Sequence, residues 1–341
     1  MRFPRAVRGL KLPEWPLADQ TAWFEACCPG GRLTRGGRAS HLKQVTRDDL
    51  ARRYGQYLDH VVRTDRLDDN GFAAASVTQD RVASYVAELT ARVSSVTVHG
   101  SIAKLRRATE LLNPSMDLDW LRDIENDLAL EMRPASKFHR IVDSDLIIYA
   151  GLTLMEEAGA VSEKTALNRA ILYRNGLMMA LLALCPIRLK NLSSLVLDRN
   201  IRRIGDNWYI ALEAQETKET RPDERPVDPL LTPYIRSYLE THRPVFNCPS
   251  KALWAGRYGK SLGYSAVERI ITETTRQTLG VAISPHLFRS CGASTSYMLC
   301  RDMPDLASAL LNHRSRKTTQ AHYNRARCAF YAREFIKLVE D

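Results

Sequence analysis

From Thr46 to Met132 the apolar residues recur at helical spacing in four successive runs, and nothing in that stretch alternates as a strand would. In "TRDDLARRYGQYLDHVV", Leu50, Tyr54, Tyr57, Leu58 and Val61 share one face, and Thr46 with Asp49 has capping-box spacing for a helix start. "TQDRVASYVAELTARV" repeats the pattern with Val82, Val86, Leu89 and Val93. "VHGSIAKLRRATELL" and "LDWLRDIENDLALEM" read as two more helices, separated by the stop "NPSMD". Four short helices without a strand signal predict a small helical domain over residues 46–132. The Pro-, Ser- and Arg-containing stretch 133–140, "RPASKFHR", has the composition of a linker.

The remainder, residues 141–341, reads as mixed. Two strong helices are expected at about 143–158 and 163–184. The single strand region is "IRRIGDNWYIALEAQETKETRPDERPVDP", where Gly205-Asp206 separates two β-type runs as in a hairpin. Helices return in "TPYIRSYLETHR", in "SAVERIITETTRQTL", and from His286 to the C-terminus. The expected class is mainly α with a small antiparallel β-sheet (α+β).

The composition bounds the function classes. Of 341 residues, 45% are apolar and 26% charged, the mix of a soluble globular chain and too apolar for disorder. No run approaches the roughly 18 apolar residues of a membrane helix. The opening "MRFPRAVRGLKLPEWP" has no apolar stretch of a secretory signal. Seven cysteines without a CxxC pair suggest neither a zinc knuckle nor a disulfide framework, so a reduced, cytoplasmic protein is expected. Lys and Arg number 49 against 39 acids, a net +10 and a pI near 9.3. Such a balance favours a polyanionic partner, most often nucleic acid. Residues 1–45 carry a local excess, with eight Lys or Arg up to Lys43 against three acids, and are expected to form a basic N-terminal arm. Within them "CCPGGRLTRGGRAS" is a loop by composition, either a contact on DNA or a solvated tail.

Six residues at structural transitions carry possible chemistry. Arg188 follows a long apolar helix in "ALCPIRLKNLSSLVL"; Lys218 lies in "ETKETRPDERP", after a strand. His286 and Arg289 form His-x-x-Arg in "ISPHLFRSCGAS". His313 and Tyr323 stand ten positions apart in "ALLNHRSRKTTQAHYNRA". Each has a plainer reading. Arg188, His286 and His313 are alternatively helix caps, Lys218 a solvated turn residue with Lys190 and Arg221 as rivals, and Tyr323 a packing residue with Tyr297 and Tyr331 as rivals. Taken together, the set suits metal-free phosphodiester cleavage. Two arginines give permanent, planar, bidentate charge to the non-bridging oxygens. A tyrosine can attack phosphorus and hold it covalently. A lysine or histidine can protonate the departing 5′ oxygen.

The strings "PIRLKNLSSL", "PHLFRSCGAS" and "LNHRSRKTTQAHYNRA", in that order with a lysine-bearing hairpin between the first two, resemble the boxes of the tyrosine recombinases, the phage integrase family. The resemblance covers about residues 140–335 and the helical domain in outline. It implies a helical core DNA-binding domain and a catalytic domain with a C-terminal helix, closing as a clamp on duplex DNA. It assigns Arg188 and Arg289 to the scissile phosphate, Lys218 to general acid catalysis, His286 to proton transfer with the tyrosine, His313 to a phosphate hydrogen bond, and Tyr323 to nucleophilic attack. It also implies site-specific cleavage and rejoining through a 3′-phosphotyrosine without metal or nucleotide cofactor. The expected partner is double-stranded DNA carrying a recombination site. The expected assembly is a homo-tetramer on synapsed DNA with a Holliday-junction intermediate, from a chain that is a monomer or weak dimer when free. A nucleoid-associated enzyme of a mobile genetic element would fit. A type IB topoisomerase and a non-catalytic DNA-binding regulator of the same fold are the alternatives. Three departures stand out: Asn191 where an acid is common three positions after the first arginine, Asn312 in place of a glycine before the second histidine, and His322 directly before Tyr323. Tyr331, Phe335 and Leu338 form an apolar stripe at helical spacing after Tyr323, which either packs on its own domain or, as family resemblance suggests, docks on a neighbouring protomer.

Overall fold

The computed structural model describes residues 8–67, 71–160, 165–218 and 220–299, together with Leu306, Leu310, Leu311 and Val339. It divides into two units, Met1–Ser136 and Lys137–Asp341, each with its own core.

The first unit contains α1 (Leu17–Cys27), α2 (Gln44–Thr64), α3 (Gln79–Arg92), α4 (Ser95–Leu112) and α5 (Asp119–Leu130). The predicted face of α2 is the buried one: Leu50, Tyr54, Tyr57, Leu58 and Val61 are all at most 2% exposed. They meet Val82, Tyr85 and Leu89 of α3 and Val98, Ile102 and Leu105 of α4. Thr78 caps α3, its hydroxyl accepting from the Arg81 N–H. The expected box at Thr46 and Asp49 does not start α2. The helix begins at Gln44 with Lys43 as its N-cap, and Asp49 is engaged by Arg52 and by Lys104 of α4.

The expected arm over residues 1–45 is corrected by the structure. Leu10, Trp15 and Trp23 join the helical unit's core, whereas residues 28–35 stay exposed. Trp15 packs edge-on against Trp23 and Tyr54. The buried Asp19 carboxylate accepts from the Tyr54 hydroxyl at 2.7 Å and from the Ala74 N–H at 2.6 Å. Two tryptophans outweigh the local charge, because aromatic side chains bury more area than any other residue type.

The second unit is built on α6 (Ser144–Ala160) and α7 (Ala166–Leu184). These two helices cross glycine to glycine. A Cβ at Gly151 would stand 2.8 Å from the Gly176 carbonyl oxygen, and one at Gly176 would stand 2.5 Å from that of Gly151. The short α8 (Leu189–Ser193) leads into an antiparallel sheet of β1 (Ile201–Ile204), β2 (Asn207–Leu212) and β3 (Asp223–Pro226), in that order. The hairpin register pairs Ile204 with Asn207 across Gly205-Asp206, and Gly205 supplies the positive φ of 60° that such a turn needs. Then follow α9 (Thr232–Ser237), α10 (Tyr264–Leu279) and α11 (Pro285–Leu299). Trp254, Phe246 and Tyr238 fill the space around α7, and the Trp254 indole donates to the Leu192 carbonyl at 2.8 Å.

Candidate active site

Arg289 organises the site. It is the fifth residue of α11, and Leu287, Phe288 and Cys291 around it are buried. Its own side chain is also buried, at 6% exposure. One terminal nitrogen donates to the Pro186 carbonyl and the other to the Leu311 carbonyl, each at 2.5 Å. Pro186 lies two residues before Arg188, and Leu311 two before His313. One guanidinium therefore gathers the first arginine box, the His-x-x-Arg box and the approach to the second histidine.

Arg188 sits where α7 has ended and α8 begins. Pro186 cannot continue the α7 ladder, and Arg188 becomes the N-cap of α8, with its carbonyl accepting from the Asn191 N–H at 2.8 Å. α7 closes before it, with Cys185 as its C-cap. Asn191 itself is buried.

Lys218 is exposed on the loop between β2 and β3. The buried hydroxyl of Thr217 pins that loop: it donates to the Arg221 carbonyl at 2.7 Å and accepts from the Arg221 N–H at 3.1 Å. Thr220 has φ of 55°, a left-handed conformation that a β-branched residue rarely holds. Lys190 and Arg221 are also exposed.

The electrostatics show that these groups share one region. Burial first, then the charges of Arg188 and Arg225, lower the pKa of Arg289 to about 10, opposed by Asp223. His286, the second residue of α11, is held below its ordinary value by desolvation and then by Arg289, Lys137, Arg188 and Lys218. The directions agree: the site is electropositive and disfavours further protonation.

Sequence reasoning missed two members. Arg225 of β3 pairs with Asp223 through two hydrogen bonds of 2.7 and 2.9 Å, and its third nitrogen donates to the Leu310 carbonyl at 2.6 Å. Arg225 and Arg289 thus bond the carbonyls of consecutive residues. The spacing of two in "DER" was the available signal, since it puts both side chains on one face of a strand. His313, Tyr323 and Tyr331 lie outside the described residues. Tyr297 is on α11, half-buried. Among the described residues no group of three or more His, Cys, Asp or Glu is placed to hold a metal ion, and no helix is long and apolar enough to cross a membrane.

No sequence-family profile and no curated protein matches the chain. Solved structures do match in fold. The XerH site-specific recombinase bound to difH substrate, in a pre-cleavage complex, aligns with TM-score 0.54 and 15% identity over 80% of this chain and 74% of that one. The XerH post-cleavage complex on palindromic difH substrate aligns with TM-score 0.59 and 12% identity over 89% and 82%. A lambda integrase(75–356) dimer bound to a COC′ core site aligns with TM-score 0.51 and 15% identity over 84% and 90%. A mainly helical chain with a small antiparallel sheet, aligned over most of its length to these structures, has the tyrosine recombinase fold.

Proposed function

We propose that this chain is a site-specific DNA recombinase that cuts and rejoins duplex strands through a 3′-phosphotyrosine at Tyr323, without a metal or a nucleotide cofactor. The observation that carries this reading is the buried Arg289 guanidinium, fixed between the Pro186 and Leu311 carbonyls and crowded by Arg188 and Arg225. Cations that repel one another at a common point favour an anion there. For a basic chain with this fold, the fitting anion is a phosphodiester.

Two of the five N–H donors of Arg289 go to those carbonyls; the others, with Arg188, face the non-bridging oxygens. The phenol oxygen of Tyr323 attacks phosphorus and the bond to the 5′ oxygen breaks. The phenolic proton passes to His286, whose lowered pKa keeps it neutral and able to accept near pH 7. Lys218, presented by its pinned loop, gives a proton to the departing 5′ oxygen. His313 holds a phosphate oxygen. The phosphotyrosine retains the bond energy, so a second 5′ end can displace the tyrosine without ATP. Recombination between two sites then calls for a tetramer on paired DNA.

The test uses nicked duplexes drawn from DNA flanking the chain's own gene. A recombinase forms a covalent protein–DNA adduct and exchanges strands only when two sites are paired. Relaxation of any supercoiled plasmid without site preference would favour the topoisomerase, and DNA binding without an adduct the regulator.

A further inference from the structure

We propose that residues 28–41 form a second DNA contact: a glycine-clamped finger that lays Arg32, Arg35 and Arg38 along the phosphate backbone and sets Leu33 into the minor groove. This rests on the DNA reading above and names a site that the catalytic chemistry does not use.

The neck of the finger is closed by the main chain. The Gly37 N–H donates to the Cys28 carbonyl at 2.9 Å and the Ala39 N–H to the Ala26 carbonyl at 2.7 Å, so the chain leaves the end of α1 and returns to it. The closure admits only glycine: a Cβ at Gly37 would lie 2.0 Å from the Glu25 carbonyl oxygen, and one at Gly30 would lie 2.6 Å from the Gly36 nitrogen. At the far end the Gly31 N–H donates to the Thr34 hydroxyl at 2.9 Å, making a tight turn. That turn presents Leu33 at 98% exposure. A single exposed leucine is ordinary; one held at the tip of a pinned turn between Arg32 and Arg35 is a presented group.

Charge selects the partner. Between Glu25 and Asp48 the sequence holds Arg32, Arg35, Arg38, Lys43, Arg47 and His41, and no acid. At the base of the finger, Arg35, Arg38, Ser40 and His41 line a groove of about 760 Å³ that faces Glu110 and Leu111 of α4. The Glu110 carboxylate is already paired with Arg106. An apolar tip flanked by arginines is the chemistry of minor-groove insertion, where cations track the backbone and a wedge meets the base edges. An acidic protein surface would satisfy the arginines and leave Leu33 without a role.

The experiment measures binding of the full chain to a labelled mixed-sequence duplex across a salt series. Wild type is expected to bind with a steep salt slope. The Arg32→Ala/Arg35→Ala/Arg38→Ala variant is expected to lose at least about tenfold in affinity and to flatten that slope by roughly 2 to 3. Leu33→Ala is expected to weaken binding several-fold with the slope unchanged. All these side chains are exposed, and circular dichroism with the thermal midpoint checks that both variants keep the fold. If wild type binds and the triple variant binds equally with the same slope, the finger is wrong while DNA binding stands. An unchanged Leu33→Ala overturns the wedge. If wild type does not bind duplex DNA, finger and recombinase reading fall together.

Discussion

Arg225 and Arg289 reach two successive carbonyls, those of Leu310 and Leu311, from a strand and a helix that are far apart in sequence. Each guanidinium thereby has a structural task in addition to its charge. Lysine at position 289 would keep the charge but not bridge two carbonyls while still facing a phosphate. Arg289→Lys is therefore expected to lower cleavage by roughly 10² to 10³, read as the single-turnover rate of adduct formation. His286 gives a pH prediction. Its folded pKa lies below the ordinary value, so between the two the unfolded chain binds the proton more readily. Its contribution to stability is complete above about pH 6.5 and is lost as pH falls through the lower folded value. The thermal midpoint is expected to drop across that window in wild type and to drop less in His286→Gln. Bound phosphate opposes the cations around His286, so DNA affinity should rise over the same fall in pH. At this scale Arg188 stood out because it follows the end of α7, and His286 and Arg289 because of their His-x-x-Arg spacing at the start of α11. Asp223 and Arg225 were hidden, since a charged run in "RPDERP" reads as turn whether or not its side chains point inward.

Among the elements, the α6–α7 crossing has no room for a side chain at its contact point. Gly176→Ala would place a methyl against the Gly151 carbonyl, with Met155 and Leu154 side chains close by. Overpacking of that kind costs about 1–3 kcal/mol, measurable as a lower denaturant midpoint with unaltered slope. A second test concerns α1. Trp23 is 5% exposed and packs with Trp15, so Trp23→Ala should cost about 3–5 kcal/mol. A free arm would lose nothing. Periodicity made α2 to α5 legible because each buries one face. It failed for α1, which is short and contributes few large side chains, and whose neighbours carry the Pro, Gly and Arg of a tail. The start of α2 was misplaced for a related reason. Thr46 and Asp49 have the spacing of a box, yet Asp49 finds Arg52 and Lys104.

The whole molecule divides into two units with separate cores, Met1–Ser136 and Lys137–Asp341. The proposed chemistry uses protein cations where a hydrolase would use a metal, so cleavage is expected to proceed at an unchanged rate in EDTA. Loss of cleavage there, restored by magnesium, would contradict the arginine mechanism. The central claim is that Tyr323 carries the DNA. Its most direct test is to trap the full chain on a nicked duplex bearing its site and to identify the adducted residue by peptide mass. The account predicts DNA on Tyr323, and a Tyr323→Phe chain that binds the same duplex with nearly unchanged affinity but forms no adduct. An adduct that persists in Tyr323→Phe and disappears in Tyr297→Phe or Tyr331→Phe would contradict it.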